Sequence, residues 1–165
     1  MYEFSAPMPY RIEDINKMLD INNLAVKSKI TGLYACVPRE CKLFTGFEQS
    51  RNFVSKYSDW DYWKNLIEHT LSQGCDFIYL LNSPRPLDIE NSDFSIQLEK
   101  LDLLLSELKK TGVNKLRVAS LQLMSYIGKH YPYFDILAST SLEYKTINEY
   151  QNFIHFHPEV KQIVP

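Results

Sequence analysis

Ser139, Thr140 and Ser141 stand in a row where the apolar segment "FDILA" gives way to the helical pattern "TINEYQNFIHFHP". Hydroxyls at such a junction either cap the next helix or face a ligand. Both readings stand for Ser139 and Thr140, although it is Thr146 that immediately precedes the helical pattern. Asn82 closes another apolar run, "CDFIYLLNS", and its amide offers a donor and an acceptor together. It either faces a ligand or holds the loop that follows. Cys36 and Cys41 form C-x4-C, a pair at a position where zinc and iron–sulfur sites use four ligands. Cys75 opens an apolar run and reads as a small packed hydrophobe. His155 and His157 are two residues apart, so they do not share a helix face. Imidazoles there suit a helix C-terminus, where positive charge is favoured. Glu48 and Arg51, in "GFEQSRNF", are charged groups in a long connection, either near a pocket or paired at the surface.

The strongest signatures of other chemistries are missing. No G-x-G-x-x-G follows the first apolar segment, and no phosphate loop ends in Gly-Lys-Ser/Thr. Neither H-E-x-x-H nor G-x-S-x-G occurs. These absences remove the usual grounds for nucleotide hydrolysis, zinc proteolysis and α/β-hydrolase chemistry.

The elements that must position the candidate residues alternate between two periodicities. "YEFSAPM" reads as a strand, and "YRIEDINKMLDINNLAVKSK" as an amphipathic helix with Ile12, Ile15, Met18, Leu19 and Leu24 at helical spacing. "ITGLYACVP" is the second strand, followed by a long connection without clean period. "DYWKNLIEHTLSQG" is a helix capped by Asp59 or Asp61 and ended at Gly74. "CDFIYLLNS" is nearly all apolar, as suits a strand buried on both faces. "DFSIQLEKLDLLLSELKKTG" carries Leu98, Leu101, Leu104, Leu105 and Leu108 on one stripe and ends at Gly112. "NKLRVAS", "LQLMSYIGKHYP", "DILAST", "TINEYQNFIHFHP" and "VKQIVP" continue as strand, helix, strand, helix, strand.

This order predicts a single α/β domain over residues 1–165, with parallel strands and right-handed helical crossovers. Two architectures satisfy it. One is an open doubly wound sheet. The other is the first five or six strands of an eight-stranded TIM-type α/β barrel, since a complete barrel takes ~250 residues. In either case ligands sit beyond the carboxyl ends of the strands. A flavodoxin-like domain would require a phosphate-binding loop, and the chain shows none.

Composition narrows the setting. Apolar residues make up 45% and charged residues 23%, enough for a sizeable core. The formal charge of −2 provides no basic stripe to neutralise phosphates, so composition gives no direct nucleic-acid signal. No apolar run reaches the ~20 residues of a membrane span, and the N-terminus lacks the pattern of a secretory signal. Three cysteines without a disulfide-framework pattern point to a reducing, cytoplasmic location.

The succession "GLYACVP", "FTGFEQSRNF", "GCDFIYLLNSP", "ELKKTGVNKLRVAS" and "FDILASTSLEYKTINEYQNF" resembles the N-terminal half of the collagenase-like peptidase family. The resemblance runs from about residue 30 to the end. It rests on Tyr34 before a loop with Arg51, Asn52 and Phe53, on a strand ending at Asn82, on Thr111-Gly112-Val113 before a strand, and on Ser139-Thr140 before a helix containing Asn148. It implies an α/β barrel from a family of peptidases, with relatives assisting hydroxylation of tRNA or ubiquinone precursors. It further implies that Asn82, Ser139, Thr140 and Arg51 lie on the substrate rim and that catalytic groups lie elsewhere. The family's opening Pro-Ala-Gly turn is replaced here by "SAPMPY", and its His-Gly and clustered cysteines have no counterpart. An iron–sulfur cluster is therefore expected only with a Cys-bearing C-terminal half, and no cofactor within this segment. The alternative is a non-catalytic α/β binding or assembly subunit whose open sheet is completed by self-association or by a partner chain, because unpaired strand edges must be covered.

Overall fold

The computed structural model describes residues 1–25, 27–36, 59–82, 94–139 and 146–163, with the backbone alone for 94–97. Six strands, β1 (Tyr2–Pro7), β2 (Ser28–Ala35), β3 (Asp76–Leu81), β4 (Lys115–Val118), β5 (Asp135–Ala138) and β6 (Val160–Ile163), form one sheet. The helices are α1 (Ile12–Leu24), α2 (Trp60–Ser72), α3 (Phe94–Lys110), α4 (Leu121–His130) and α5 (Ile147–Phe156). Every pairing is parallel, and the spatial order is β1-β2-β3-β4-β5-β6. A doubly wound sheet reverses direction at a switch point. This order never reverses, so the sheet is the curled partial barrel of the two expected architectures.

The helices form where the sequence provides starts and stops. Asp59 Oδ1 accepts from the Asp61 N–H at 2.9 Å to begin α2, and Gly74, at φ +71°, turns the chain out of it. Ser120 caps α4. Thr146 and Glu149 form a reciprocal capping box at α5, so this hydroxyl, and not Ser139, caps the helix. On α3, Leu101, Leu104, Leu105 and Leu108 are fully buried against the sheet, whereas Leu103 on the other side is 64% exposed. Each buried leucine contributes about 1.5–3 kcal/mol. The stripe on α1 is shorter than its spacing predicts. Ile15 is buried and Met18 and Leu19 pack on the core, but Leu24 is 83% exposed because the helix ends there, beyond the edge of the core.

The two faces of the sheet differ. Leu33, Ala35, Phe77, Tyr79, Leu81, Leu116, Val118, Ile136 and Ala138 point outward into the main core under the helices. Ile78, Leu80 and Leu137 point inward, where they form a separate small cluster with Cys36. Strand β3 is buried on both sides from Phe77 to Leu81 for this reason, and this explains the unbroken apolar run there.

Side chains tie the layers where backbone groups would otherwise be unmet. Asn22 on α1 donates from Nδ2 to the Ile30 carbonyl at 2.9 Å and accepts from the Ile30 N–H at 2.7 Å. Its amide thus stands in for a neighbouring backbone beside β2. The Tyr62 hydroxyl of α2 donates to the Tyr10 carbonyl, pinning the turn before α1. Replacing Asn22 with Leu leaves both Ile30 groups without that partner. The expected cost is about 2 kcal/mol, lowering the thermal midpoint by about 4–8 °C; an unchanged melting curve would refute the clamp.

Candidate functional site

The C-terminal ends of the strands form the mouth of the curled sheet. Asn82 follows β3 with the same parity as Ile78 and Leu80, which places it on the inward side. Its Oδ1 is shielded from solvent and accepts no hydrogen bond among the described residues. An unmet buried acceptor costs about 1–3 kcal/mol. Ser139 follows β5 with the parity of Leu137, is 3% exposed, and its N–H donates to the Val118 carbonyl at 2.9 Å. Cys36 follows β2 on the same inward side. The structure therefore sets Asn82 and Ser139 on the mouth of one concave face. Arg51, Thr140, Ser141, Glu48, Cys41, Asn52 and Phe53 lie outside the described residues.

Below the mouth, Ile78, Leu80 and Leu137 form an apolar band, and beside it opens a cavity of about 510 Å³. Its walls include Ser5, Gly32, Tyr34, Asp76, Lys115 and Arg117. Gly32 lies in register between Ser5 and Asp76. A methyl group there would sit 3.2 Å from Ile78 Cδ1 and 3.5 Å from Ser5 Cβ, so the bare backbone keeps this part of the cavity open. Lys115 Nζ pairs with Asp76 across the β3–β4 boundary. Both side chains are part-exposed, so the pair contributes no more than about 1 kcal/mol.

Arg117 reaches across the whole concave face. From β4 its guanidinium lies 5.1 Å from the centre of the Tyr34 ring on β2 and donates to Ser5 Oγ on β1 at 3.1 Å. In a flat sheet β1 and β4 stand about 14 Å apart, so this bond depends on the curl. Burial lowers the Arg117 pKa from its ordinary value, with Tyr34 opposing the shift. An arginine remains a cation regardless. Sequence reasoning missed Arg117, Lys115, Asp76 and Ser5. The available signal was the alternation Lys-Leu-Arg-Val in β4, which marks a strand with one polar face.

The described cysteines do not gather as ligands of one iron–sulfur cluster. Cys36 belongs to the inward cluster and Cys75 to the outward core, so the sheet separates them. Among the described residues no three His, Cys, Asp or Glu side chains gather as metal ligands. No described helix is long and apolar enough to cross a membrane.

No family model matches the chain, and no curated protein matches it. A solved structure titled "Structure of CpGH84B" superposes on 98% of the chain with a TM-score of 0.61 at 10% sequence identity. The chain spans 32% of that structure's length. At this identity the likeness concerns the fold alone.

Cys75 illustrates how the core silences a nucleophile. Burial, then the neighbouring Asp76 carboxylate, pushes its thiol up to about 11. Only the thiolate is alkylated. At pH 8 iodoacetamide should modify Cys75 about a hundredfold more slowly in the folded protein than in denaturant, read by peptide mass spectrometry. Equal rates would show that the thiol is not buried in this way.

Proposed function

We propose that the chain is the N-terminal β/α portion of a collagenase-like peptidase family barrel, and that its mouth forms one side of a substrate site. Asn82 Oδ1 carries the reading. It is a buried acceptor at the carboxyl end of a central strand, without a hydrogen-bond donor among the described residues. An amide N–H of a peptide, or an exocyclic amine of a base, supplies the donor such an oxygen lacks. Ser139 stands on the same inward side and positions the substrate in this reading. Arg51 and Thr140 join the rim through the family resemblance. Catalysis, and any iron–sulfur cluster, belongs to a Cys-bearing C-terminal half. The thiols of Cys36 and Cys75, neither in a disulfide, suit the reducing cytoplasm.

A second reading is favoured by the sheet's edges. Among the described residues, strands β1 and β6 each pair on one side only, and Tyr2 at the β1 edge is 78% exposed. Such edges invite pairing. In this reading the chain is a non-catalytic subunit that completes its sheet with a partner polypeptide.

Intact-mass analysis and iron determination on the endogenous protein, immunocaptured from its native cells, separate the two. The family reading expects a polypeptide well above 19.4 kDa that carries iron. A species of 19.4 kDa would overturn it and support the subunit reading. Both readings expect the 165-residue chain alone to self-associate in size-exclusion chromatography with light scattering. A monodisperse, cooperatively melting monomer would count against an open, uncovered sheet.

A further inference from the structure

We propose that the concave face holds a second site, below the mouth and independent of Asn82, for a small organic oxyanion anchored on Arg117. The ligand class is a carboxylate or phosphate ester with an apolar body. Arg117 donates to a neutral hydroxyl, Ser5 Oγ, and faces the Tyr34 ring. Its Nε is shielded from solvent and without an acceptor among the described residues. No carboxylate among the described residues forms an ion pair with it. A guanidinium presents donors in a planar fork that matches carboxylate and phosphate geometry. Withdrawing it from water without a counter-charge is costly, and an anion in the adjoining cavity offsets that cost.

The other charges around the cavity do not fulfil this role. Lys115 and Asp76 are paired with each other. Glu3 also lines the cavity, but it stands two residues before Ser5 along β1, roughly 7 Å further toward the amino end. The four formal charges cancel in sum, yet the local pairing leaves Arg117 as the cation facing open space. The volume of about 510 Å³ falls within the range of small-molecule sites. Ile78, Leu137 and Tyr34 provide an apolar wall for the ligand's body, and Gln162 adds a polar group.

The test is a titration of the 165-residue chain with benzoate and with phenyl phosphate, at ionic strength matched by chloride. The readout is the Arg117 Nε–Hε resonance together with calorimetry. We expect saturable binding of at least one probe, and which probe binds more tightly distinguishes the carboxylate from the phosphate source. Arg117→Met should weaken binding by about tenfold or more. Gly32→Val, which fills the cavity while leaving the guanidinium in place, should do the same. Circular dichroism confirms that each variant is folded, and the second variant serves if the first is not. Absence of saturable binding, or undiminished affinity in a folded variant, would overturn the site. The Asn82 reading is unaffected by either result, since neither variant touches the mouth.

Discussion

Parallel pairing in strict chain order is the constraint on which the rest of this structure depends. Parallel neighbours require a crossover, and right-handed crossovers place every helix on the same side when the strand order never reverses. All five described helices therefore cover one face of the sheet, and the strands' twist bends the other face into a hollow. The mouth, the apolar band and the cavity are all consequences of that one-sidedness. A single reversal in strand order would have put a helix where Arg117 now reaches across to Ser5.

The concave face divides its labour along the strands. Near the carboxyl ends, Asn82 and Ser139 offer hydrogen-bonding groups that are withdrawn from solvent. Next to them, Ile78, Leu80 and Leu137 exclude water. The charged groups Lys115, Asp76 and Arg117 are gathered around the cavity. Polar groups beside an apolar band act in a poorer dielectric than they would in open solvent, so each contact they make counts for more. Gly32 contributes by what it lacks, since even a methyl group would crowd Ile78.

Much of the fold was legible in the sequence. The α3 leucine stripe, the cap at Asp59 (one of two candidates, with Asp61), the turns at Gly74 and Gly112 and the largely apolar β3 are local patterns with local causes, and they appear where the periodicity places them. Leu24 misled because spacing alone does not reveal where the core ends. The choice between an open sheet and a barrel depended on strand order, which local patterns do not encode. At the site, Asn82 and Ser139 could be located because they terminate recognisable strands. Arg117 could not, because its partners Ser5 and Tyr34 lie 112 and 83 residues away in sequence and meet it only through the curl. The polar half of "KLRV" was visible, but its significance depends on knowing which face has no helix over it.

The chain-order sheet also has a kinetic side. Each strand is laid against the one made just before it, so no pairing waits for a distant segment. A nascent chain leaving the ribosome can add one β/α unit at a time, each new helix covering apolar surface that the previous unit had left bare. Closing the chain between consecutive strands costs less entropy than joining strands further apart in sequence. Growth by accretion also leaves the newest strand without a neighbour on its far side. Among the described residues that strand is β6, whose outer edge carries the unpaired backbone groups that such growth leaves behind.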